Sequence, residues 1–228
     1  MSKNSFRKGS GFLTRRGKNG IIFKTPENLV NTGGNDYNSS NALNMSQMEI
    51  NAIYIWAYLQ AKGWTLNAVA GVLGNMQSES SINPGRWESN VVGGDPEAHG
   101  YGLVQWTPYT KYTNWIVNQG FSDPSEMDAN LYRIIYEVEN NIQWIATSTY
   151  NYSFYEFTQS TDTPYNLALA FLANYERPAE PNQPARGRQA EYWFQFLGGI
   201  TPIIITKKKK FKWVLYARKL RSKNLFIN

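Results

Sequence analysis

The chain has 228 residues, of which 42% are hydrophobic and 15% aromatic, so it can bury one core of ordinary domain size. It contains no cysteine and one histidine, which excludes disulfides, a thiol nucleophile and a metal site built from cysteines or several histidines. The net charge of +6 hides an acidic middle, residues 45–199, with fifteen acidic and seven basic side chains. Residues 1–44 carry seven basic and two acidic side chains, and residues 200–228 carry nine basic side chains and no acidic ones. We expect these basic ends, rather than the middle, to attract polyanions.

Both ends of the chain differ in composition from the middle. Residues 1–44 are rich in Gly, Asn, Ser and basic residues, which predicts a mostly disordered arm with one short strand near residues 21–23. Neither a signal peptide nor a membrane-spanning segment is expected, because no apolar run has the required position or length. Residues 200–228 are interpreted as a basic tail or linker, in which Phe211 and Trp213 follow four lysines. An ordered domain is expected over residues 45–199.

The ordered middle is predicted to be mainly helical. Ser46 and Glu49 have the spacing of a capping box, which would open a first helix that ends at Gly63. Thr65 is expected to cap a second helix, whose apolar residues recur at three- and four-residue spacing up to residue 77. Further helical patterns extend over residues 109–118, 123–142, 165–175 and 185–197.

The segment after the second helix has a different composition. Glycine and proline are frequent between residues 82 and 107, with the short apolar runs Val91-Val92 and Leu103-Val104 between them. This composition predicts a small, irregular β-hairpin region. The fold class is therefore α+β, mainly α, with the hairpin region directly after the second helix.

Glu79 is the first candidate for a catalytic residue. It follows the apolar face of the second helix and precedes the Ser, Asn, Pro and Gly residues that end this helix. The negative end of the helix dipole and the apolar packing behind Glu79 both favour the protonated form of its carboxyl group. A carboxyl group that keeps its proton near neutral pH can act as a general acid. The alternative is a solvated carboxylate at a frayed helix end.

Three motifs occur in the order found in goose-type lysozymes and lytic transglycosylases, and they resemble the motifs of those proteins. They are Gln-Ser-Glu-Ser at 77–80, Gly-Leu-Val-Gln-Trp at 102–106 and Ala-Asn-Tyr-Glu-Arg-Pro at 173–178. Residues 45–199 resemble more narrowly the muramidase domain of phage tail-associated lysins, which shares the run Gly-Asn-Met-Gln-x-Glu-Ser-x-Ile-Asn-Pro-Gly. The resemblance covers about two-thirds of the chain and implies a lysozyme-like fold with a substrate cleft.

This resemblance implies a peptidoglycan hydrolase that cleaves the β-1,4 bond between N-acetylmuramic acid and N-acetylglucosamine. Glu79 would be the general acid, and Tyr175 would form a hydrogen bond near it. Gln105 would orient a sugar N-acetyl group or the attacking water, although a structural amide that satisfies loop backbone is the alternative. Flat faces for sugar rings would come from Trp87, Tyr101, Trp106 and Tyr109. No metal or other cofactor is implied.

The residues offer three candidates for the second catalytic group. Asp95, in a tight Gly-Gly-Asp-Pro turn, is the first candidate, ahead of Glu88 and Glu97. The resemblance also admits a lytic transglycosylase, in which the sugar's own 6-hydroxyl attacks and leaves a 1,6-anhydro product. Glu176 is interpreted as part of a structural salt bridge or cap with Arg177.

The expected partner is the glycan strand of peptidoglycan, met at the virion tail or in the host cell wall. Other phage tail proteins, and anionic wall polymers bound through the basic ends, are further expected partners. Two interpretations from other classes stay open: a non-catalytic tail component that binds glycan, and a nucleic-acid binder that uses the basic ends. Because those ends lack a recognisable motif for binding specific nucleic-acid sequences, no specific nucleic-acid partner is expected.

Overall fold

The computed structural model describes residues 41–95 and 97–200, together with the backbone of three short strands. The strands are β1 (Thr14–Arg16), β2 (Ile21–Lys24) and β3 (Ile204–Thr206), which form an antiparallel sheet in the order β1-β2-β3 within a compact unit of their own. β2 confirms the strand predicted near residues 21–23, whereas its partners were not predicted. Most of the predicted disordered arm, and the four lysines with Trp213, lie outside the described residues.

The second compact unit is helical, which confirms the predicted mainly helical domain. Its described residues form α1 (Met45–Gln60), α2 (Leu66–Ser80), α3 (Thr110–Asn118), α4 (Met127–Glu139), α5 (Phe154–Gln159), α6 (Pro164–Phe171) and α7 (Pro184–Gly198). A π-helical turn, Leu172–Glu176, continues α6 directly, and a 3₁₀ turn spans Glu88–Asn90. Within the part of the chain that the structure describes, no helix combines the length and apolarity that membrane crossing requires.

Helix starts follow the capping chemistry of nearby side chains. Thr65 Oγ1 accepts from the backbone N–H of Ala68 at 3.1 Å, which confirms the predicted cap of α2. The capping box of α1 joins Asn44 to Gln47, with both reciprocal hydrogen bonds at 3.0 Å, rather than Ser46 to Glu49. The predicted box was wrong because Asn44 satisfies the free N–H groups two residues earlier in the chain.

The segment between α2 and α3 forms turns instead of a regular hairpin. Its pairing consists of two isolated antiparallel bridges, Trp87 with Tyr101 and Tyr101 with Trp106. Positive φ angles at Gly102 (+86°) and Gln105 (+49°) interrupt the extended backbone that a strand requires. Side chains hold this loop in place, since Ser80 Oγ at the end of α2 donates to the Leu103 carbonyl oxygen at 2.9 Å.

Helix α2 runs through the core and packs against α6 and α7 at two glycines. A Cβ atom on Gly71 would lie 2.9 Å from Leu167 Cβ, and one on Gly74 would lie 2.3 Å from the Arg186 carbonyl oxygen. At Gly74 the obstacle is backbone, which cannot rotate away as a flexible side chain can. The small residues therefore let α7 approach α2 closely enough to bring Arg186 beside the end of α2.

Gly74→Ala is expected to lower the free energy of unfolding by about 1–3 kcal/mol, because the added methyl group would force α2 and α7 apart. The measurement is chemical denaturation followed by far-UV circular dichroism. Gly198→Ala is the matched control, since a Cβ there would meet only Leu66 Cδ2 at 3.9 Å, an ordinary contact. If both variants have the wild-type free energy of unfolding, the inferred close packing of α2 and α7 at Gly74 is wrong.

Candidate active site

A polar cleft of about 480 Å³ opens beside the end of α2. This volume lies within the range that small-molecule sites in proteins occupy. Three carboxyl groups and three cations face it: Glu79, Glu88, Glu176, Arg86, Lys111 and Arg177. The cleft therefore has the balanced charge and hydrogen-bonding capacity to take a polar, largely neutral ligand.

Glu79 lies on the last turn of α2, where the helix ends at Ser81 in the left-handed conformation with φ +55°. Its Oε1 accepts from Arg186 Nη2 at 2.6 Å, and its side chain is 21% exposed. Among the described residues, Glu79 Oε2 has no hydrogen-bond partner. One oxygen is thus held by a cation, and the other can meet a ligand in the cleft.

Arg186 is the residue that fixes Glu79, and sequence reasoning missed it. The Arg186 side chain is only 7% exposed and is oriented by two neutral amides. Its Nη1 donates to Asn75 Oδ1 at 3.0 Å, and its Nε donates to Gln183 Oε1 at 2.6 Å. Because the guanidinium is held from two sides, Nη2 reaches Glu79 without losing further side-chain freedom. The ion pair sets a cation against the Glu79 carboxylate, a contact that the two effects argued from the sequence did not include.

Glu137, on α4, is a buried carboxyl group below the cleft with no exposed surface. Its Oε1 accepts from Arg133 Nε at 2.7 Å and from Trp106 Nε1 at 3.0 Å, and its Oε2 accepts from the Tyr175 hydroxyl at 2.6 Å. Burial raises the pKa of Glu137, although the Arg133 charge and these hydrogen bonds oppose that rise. One carboxyl group therefore anchors both aromatic residues that line the cleft.

The aromatic residues of the predicted site divide into those that line the cleft and those that do not. Trp106 and Tyr175 line the cleft, but they are 4% and 1% exposed, and the Tyr175 hydroxyl donates to Glu137 rather than to Glu79. Trp87 and Tyr101 are buried and pack edge to face with ring centroids 4.7 Å apart, away from the cleft lining. Tyr109 belongs with the second group, since it does not line the cleft and its ring centroid lies 4.9 Å from that of Trp87. The first pair forms the cleft floor, and the second pair holds the loop beneath it.

Gln105 combines the two roles that the sequence left as alternatives. Its Nε2 donates to the carbonyl oxygens of Arg86 at 3.1 Å and Gly102 at 2.8 Å, which fixes the amide orientation. Its Oε1 is buried in the described structure without a hydrogen-bond partner, although Gln105 lines the cleft. A buried acceptor without a donor costs about 1–3 kcal/mol, so a ligand N–H or O–H that reaches it would be favoured.

Gln105→Glu is expected to lower the free energy of unfolding by about 1–3 kcal/mol, because a carboxylate would face two carbonyl oxygens that now accept from Nε2. The measurement is the denaturation midpoint at pH 7. Gln195→Glu, an exposed change on α7, is the control and should shift the free energy by less than about 0.5 kcal/mol. Equal effects at the two positions would contradict the assigned orientation of the Gln105 amide.

Backbone strain is concentrated around the cleft. Gln105, Gln143 and Arg177 all line it, and all have left-handed φ angles of +49°, +69° and +50°. Such conformations are unfavourable for residues other than glycine and occur preferentially at functional sites. The π-helical turn that delivers Tyr175 and Glu176 is a second irregularity of this kind.

The candidates for the second catalytic group lie at different distances from the cleft. Asp95 is exposed, its Oδ1 accepts from the Glu97 N–H at 3.0 Å, and it does not line the cleft. Glu88 lines the cleft, and its Oε2 accepts from the Gly100 N–H at 2.6 Å. The Asp95 carboxyl group therefore accepts within its own turn, and Glu88 is the one of these two candidates that lines the cleft.

Glu176 faces the same cleft as Glu79, which the sequence analysis did not anticipate. Its Oε1 is buried and has no hydrogen-bond partner among the described residues. The expected pairing with Arg177 is not formed there, because Arg177 Nη1 donates to the carbonyl oxygens of Gln143 and Asn174. Burial and the nearby Glu79 charge raise the pKa of Glu176 well above its ordinary value, while Arg186 opposes the rise.

A mainly helical domain whose second helix carries a glutamate to the edge of a polar cleft has the architecture of lysozyme-like proteins. Residues 50–197 match the model of the phage tail lysozyme family, and the chain belongs to that family. This match confirms the resemblance inferred from the three motifs.

A curated relative places the chain among phage proteins. It is similar to Morphogenesis protein 1 of Bacillus phage B103, with 53% identity over 163 residues. The aligned region covers 72% of this chain and 43% of the relative, so the chain spans less than half the length of that protein. The protein is thus a lysozyme-like phage protein, and its family is one of glycosidase-like enzymes.

Proposed function

We propose that the protein is a muramidase that cleaves the β-1,4 bond between N-acetylmuramic acid and N-acetylglucosamine in peptidoglycan. The observation that carries this proposal is the position of Glu79, partly exposed in a cleft lined mainly by hydrogen-bonding and aromatic side chains. The proposed catalytic domain is residues 45–199, which contains the whole family match.

In the proposed reaction Glu79 protonates the glycosidic oxygen as the bond from that oxygen to C1 of muramic acid breaks. Water then adds to C1, and its proton returns to the carboxyl groups of the cleft. Arg186 holds Glu79 Oε1, so the carboxyl group keeps one orientation throughout. Gln105 Oε1 is proposed to accept a hydrogen bond from the N-acetyl N–H of the sugar or from the attacking water.

The test is mass spectrometry of purified peptidoglycan digested with the full chain. A muramidase releases fragments with a hydrated, reducing muramic acid end. A 1,6-anhydro end would identify a lytic transglycosylase instead, and the mechanism of bond cleavage would change while Glu79 kept its role. Binding of glycan without released ends would identify a non-catalytic, glycan-binding tail component and overturn the proposal.

We propose that the enzyme acts as part of the phage particle at the host cell wall, with tail proteins as neighbours. The relative's name, Morphogenesis protein 1, supports a role connected with the particle. Proteomics of purified virions tests this location. The basic ends are proposed to bind anionic wall polymers. Because residues 45–199 are acidic and would not favour such binding, deleting residues 207–228 measures what the C-terminal basic end contributes to it.

A further inference from the structure

We propose that Glu176 is the second carboxyl group of the active site and that Glu79 and Glu176 together hold a single proton next to Arg186. The part of this inference that concerns cleavage rests on the proposed muramidase function. The part that concerns the shared proton stands on the geometry of the cleft alone.

The Glu176 carboxyl group is partly enclosed by the protein. It lines the cleft with Glu79, yet its Oε1 is buried and unpartnered among the described residues. A buried carboxylate oxygen without a donor is unfavourable, whereas a protonated carboxyl group in the same place loses far less on leaving water. The position of Glu176 therefore suits the neutral form.

Charges of both signs face Glu176 from the neighbouring elements. Glu79 on α2 and Glu137 on α4 disfavour a further negative charge, and Arg186 on α7 and Arg177 beside it in sequence favour one. The only one of these cations bonded to a carboxylate of the cleft is Arg186, and its Nη2 contacts Glu79 at 2.6 Å within the described structure. Glu79 is thus the member of the pair that is bonded to the cation.

The proposed reaction needs a carboxyl group that holds a proton, but one oxygen of Glu79 is already bonded to the Arg186 guanidinium. A second carboxyl group that keeps its proton in the same solvent-accessible cleft resolves this difficulty, because the proton can exchange between the two sites. Each turnover then begins and ends with one proton on the pair: it goes to the leaving oxygen as the bond to C1 breaks, and the added water returns it.

The direct test is a carbon NMR titration of the full chain labelled at the glutamate δ-carbons. We expect the Glu176 resonance to titrate at clearly higher pH than that of Glu191, an exposed residue of α7. In Glu79→Gln, the Glu176 midpoint should fall by about one pH unit or more, because the like charge is removed and the charge of Arg186 is no longer balanced by a carboxylate at position 79. The shared proton would be overturned if the Glu176 resonance titrated at the same pH as that of Glu191, or if its midpoint were the same in the wild type and in Glu79→Gln.

The test of the catalytic role is the pH dependence of kcat/KM for Glu176→Gln. Without Glu176, Arg186 acts on Glu79 alone, so the alkaline limb of the profile should move to lower pH by about one unit or more. Glu191→Gln should keep the wild-type profile. An unchanged profile in Glu176→Gln would show that Glu176 takes no part in proton supply.

The two tests separate this inference from the proposed function. If Glu79→Gln cleaves peptidoglycan as the wild type does, the proposed function fails while the NMR result still decides the shared proton. If Glu79→Gln is inactive and Glu176 titrates normally, only this inference fails. The NMR experiment compares the wild type with Glu79→Gln, so it also remains decisive if Glu176→Gln does not fold.

Discussion

Glu79→Gln is expected to reduce the release of reducing ends from peptidoglycan by about 10²–10⁴-fold, the contribution typical of general acid–base catalysis. Glutamine has the shape of glutamate and its amide oxygen can still accept from Arg186 Nη2, so the fold should survive. It cannot supply a proton to the glycosidic oxygen. The measurement is initial rate of reducing-end release, with thermal unfolding followed in parallel.

Glu191→Gln provides the matched control, because it makes the same chemical change at an exposed position of α7. It should cleave as the wild type does. Retained glycan binding by Glu79→Gln, measured by pull-down with insoluble peptidoglycan, would show that the loss lies in chemistry rather than in recognition. Cleavage by Glu79→Gln within a few-fold of the wild type would remove Glu79 from the mechanism.

Local sequence signals predicted the helices well where those signals were complete. Thr65 and Thr163 carry the capping side chain, and both cap helices in the structure. Helix α5 was missed because its six residues are too short to display a helical period, although Ser153 and Glu156 form a capping box at its start. The predicted hairpin region contains only isolated antiparallel bridges for a related reason: the composition indicated turns, but it carried no information on the left-handed Gln105, which interrupts the extended backbone.

The sequence predicted those residues of the candidate site that belong to the three motifs, and it did not predict the others. Glu79, Gln105 and Tyr175 lie on three separate segments, and the structure brings all three to one cleft. Arg186 had no signal of its own, because its contact with Glu79 spans 107 residues and depends on the close α2–α7 crossing at Gly74. Such a contact is a property of packing, which a single sequence does not reveal.

Glu137 shows how a structural residue can be mistaken for a solvated one. It lies in α4 four residues after Arg133, the spacing of an ordinary surface ion pair. In the structure this pair is buried. The Glu137 carboxyl group accepts from the indole N–H of Trp106 and from the hydroxyl of Tyr175. The cleft floor therefore depends on a carboxyl group that never contacts the cleft.

Glu137→Ala is expected to lower the free energy of unfolding by about 3–5 kcal/mol, the usual cost of removing one member of a buried ion pair. Arg133 would keep a buried charge without its partner, and Trp106 and Tyr175 would each lose their hydrogen-bond acceptor. Chemical denaturation measures the effect. Glu139→Ala, an exposed change two residues further along α4, is the control and should cost less than about 1 kcal/mol.

The cost of Glu137→Ala should also depend on pH, with a sign set by the direction of the Glu137 pKa shift. Burial raises this pKa above its ordinary value of 4.5, so between 4.5 and the folded-state pKa the folded wild type binds more protons than the unfolded chain. Wild-type stability from this group is therefore complete below 4.5 and declines as the pH rises through the folded-state pKa. Because Glu137→Ala lacks this carboxyl group, the difference in the free energy of unfolding between the wild type and the variant should become smaller from pH 5 to pH 8. A difference that widened over this interval would mean that the Arg133 charge and the three hydrogen bonds outweigh the burial of Glu137.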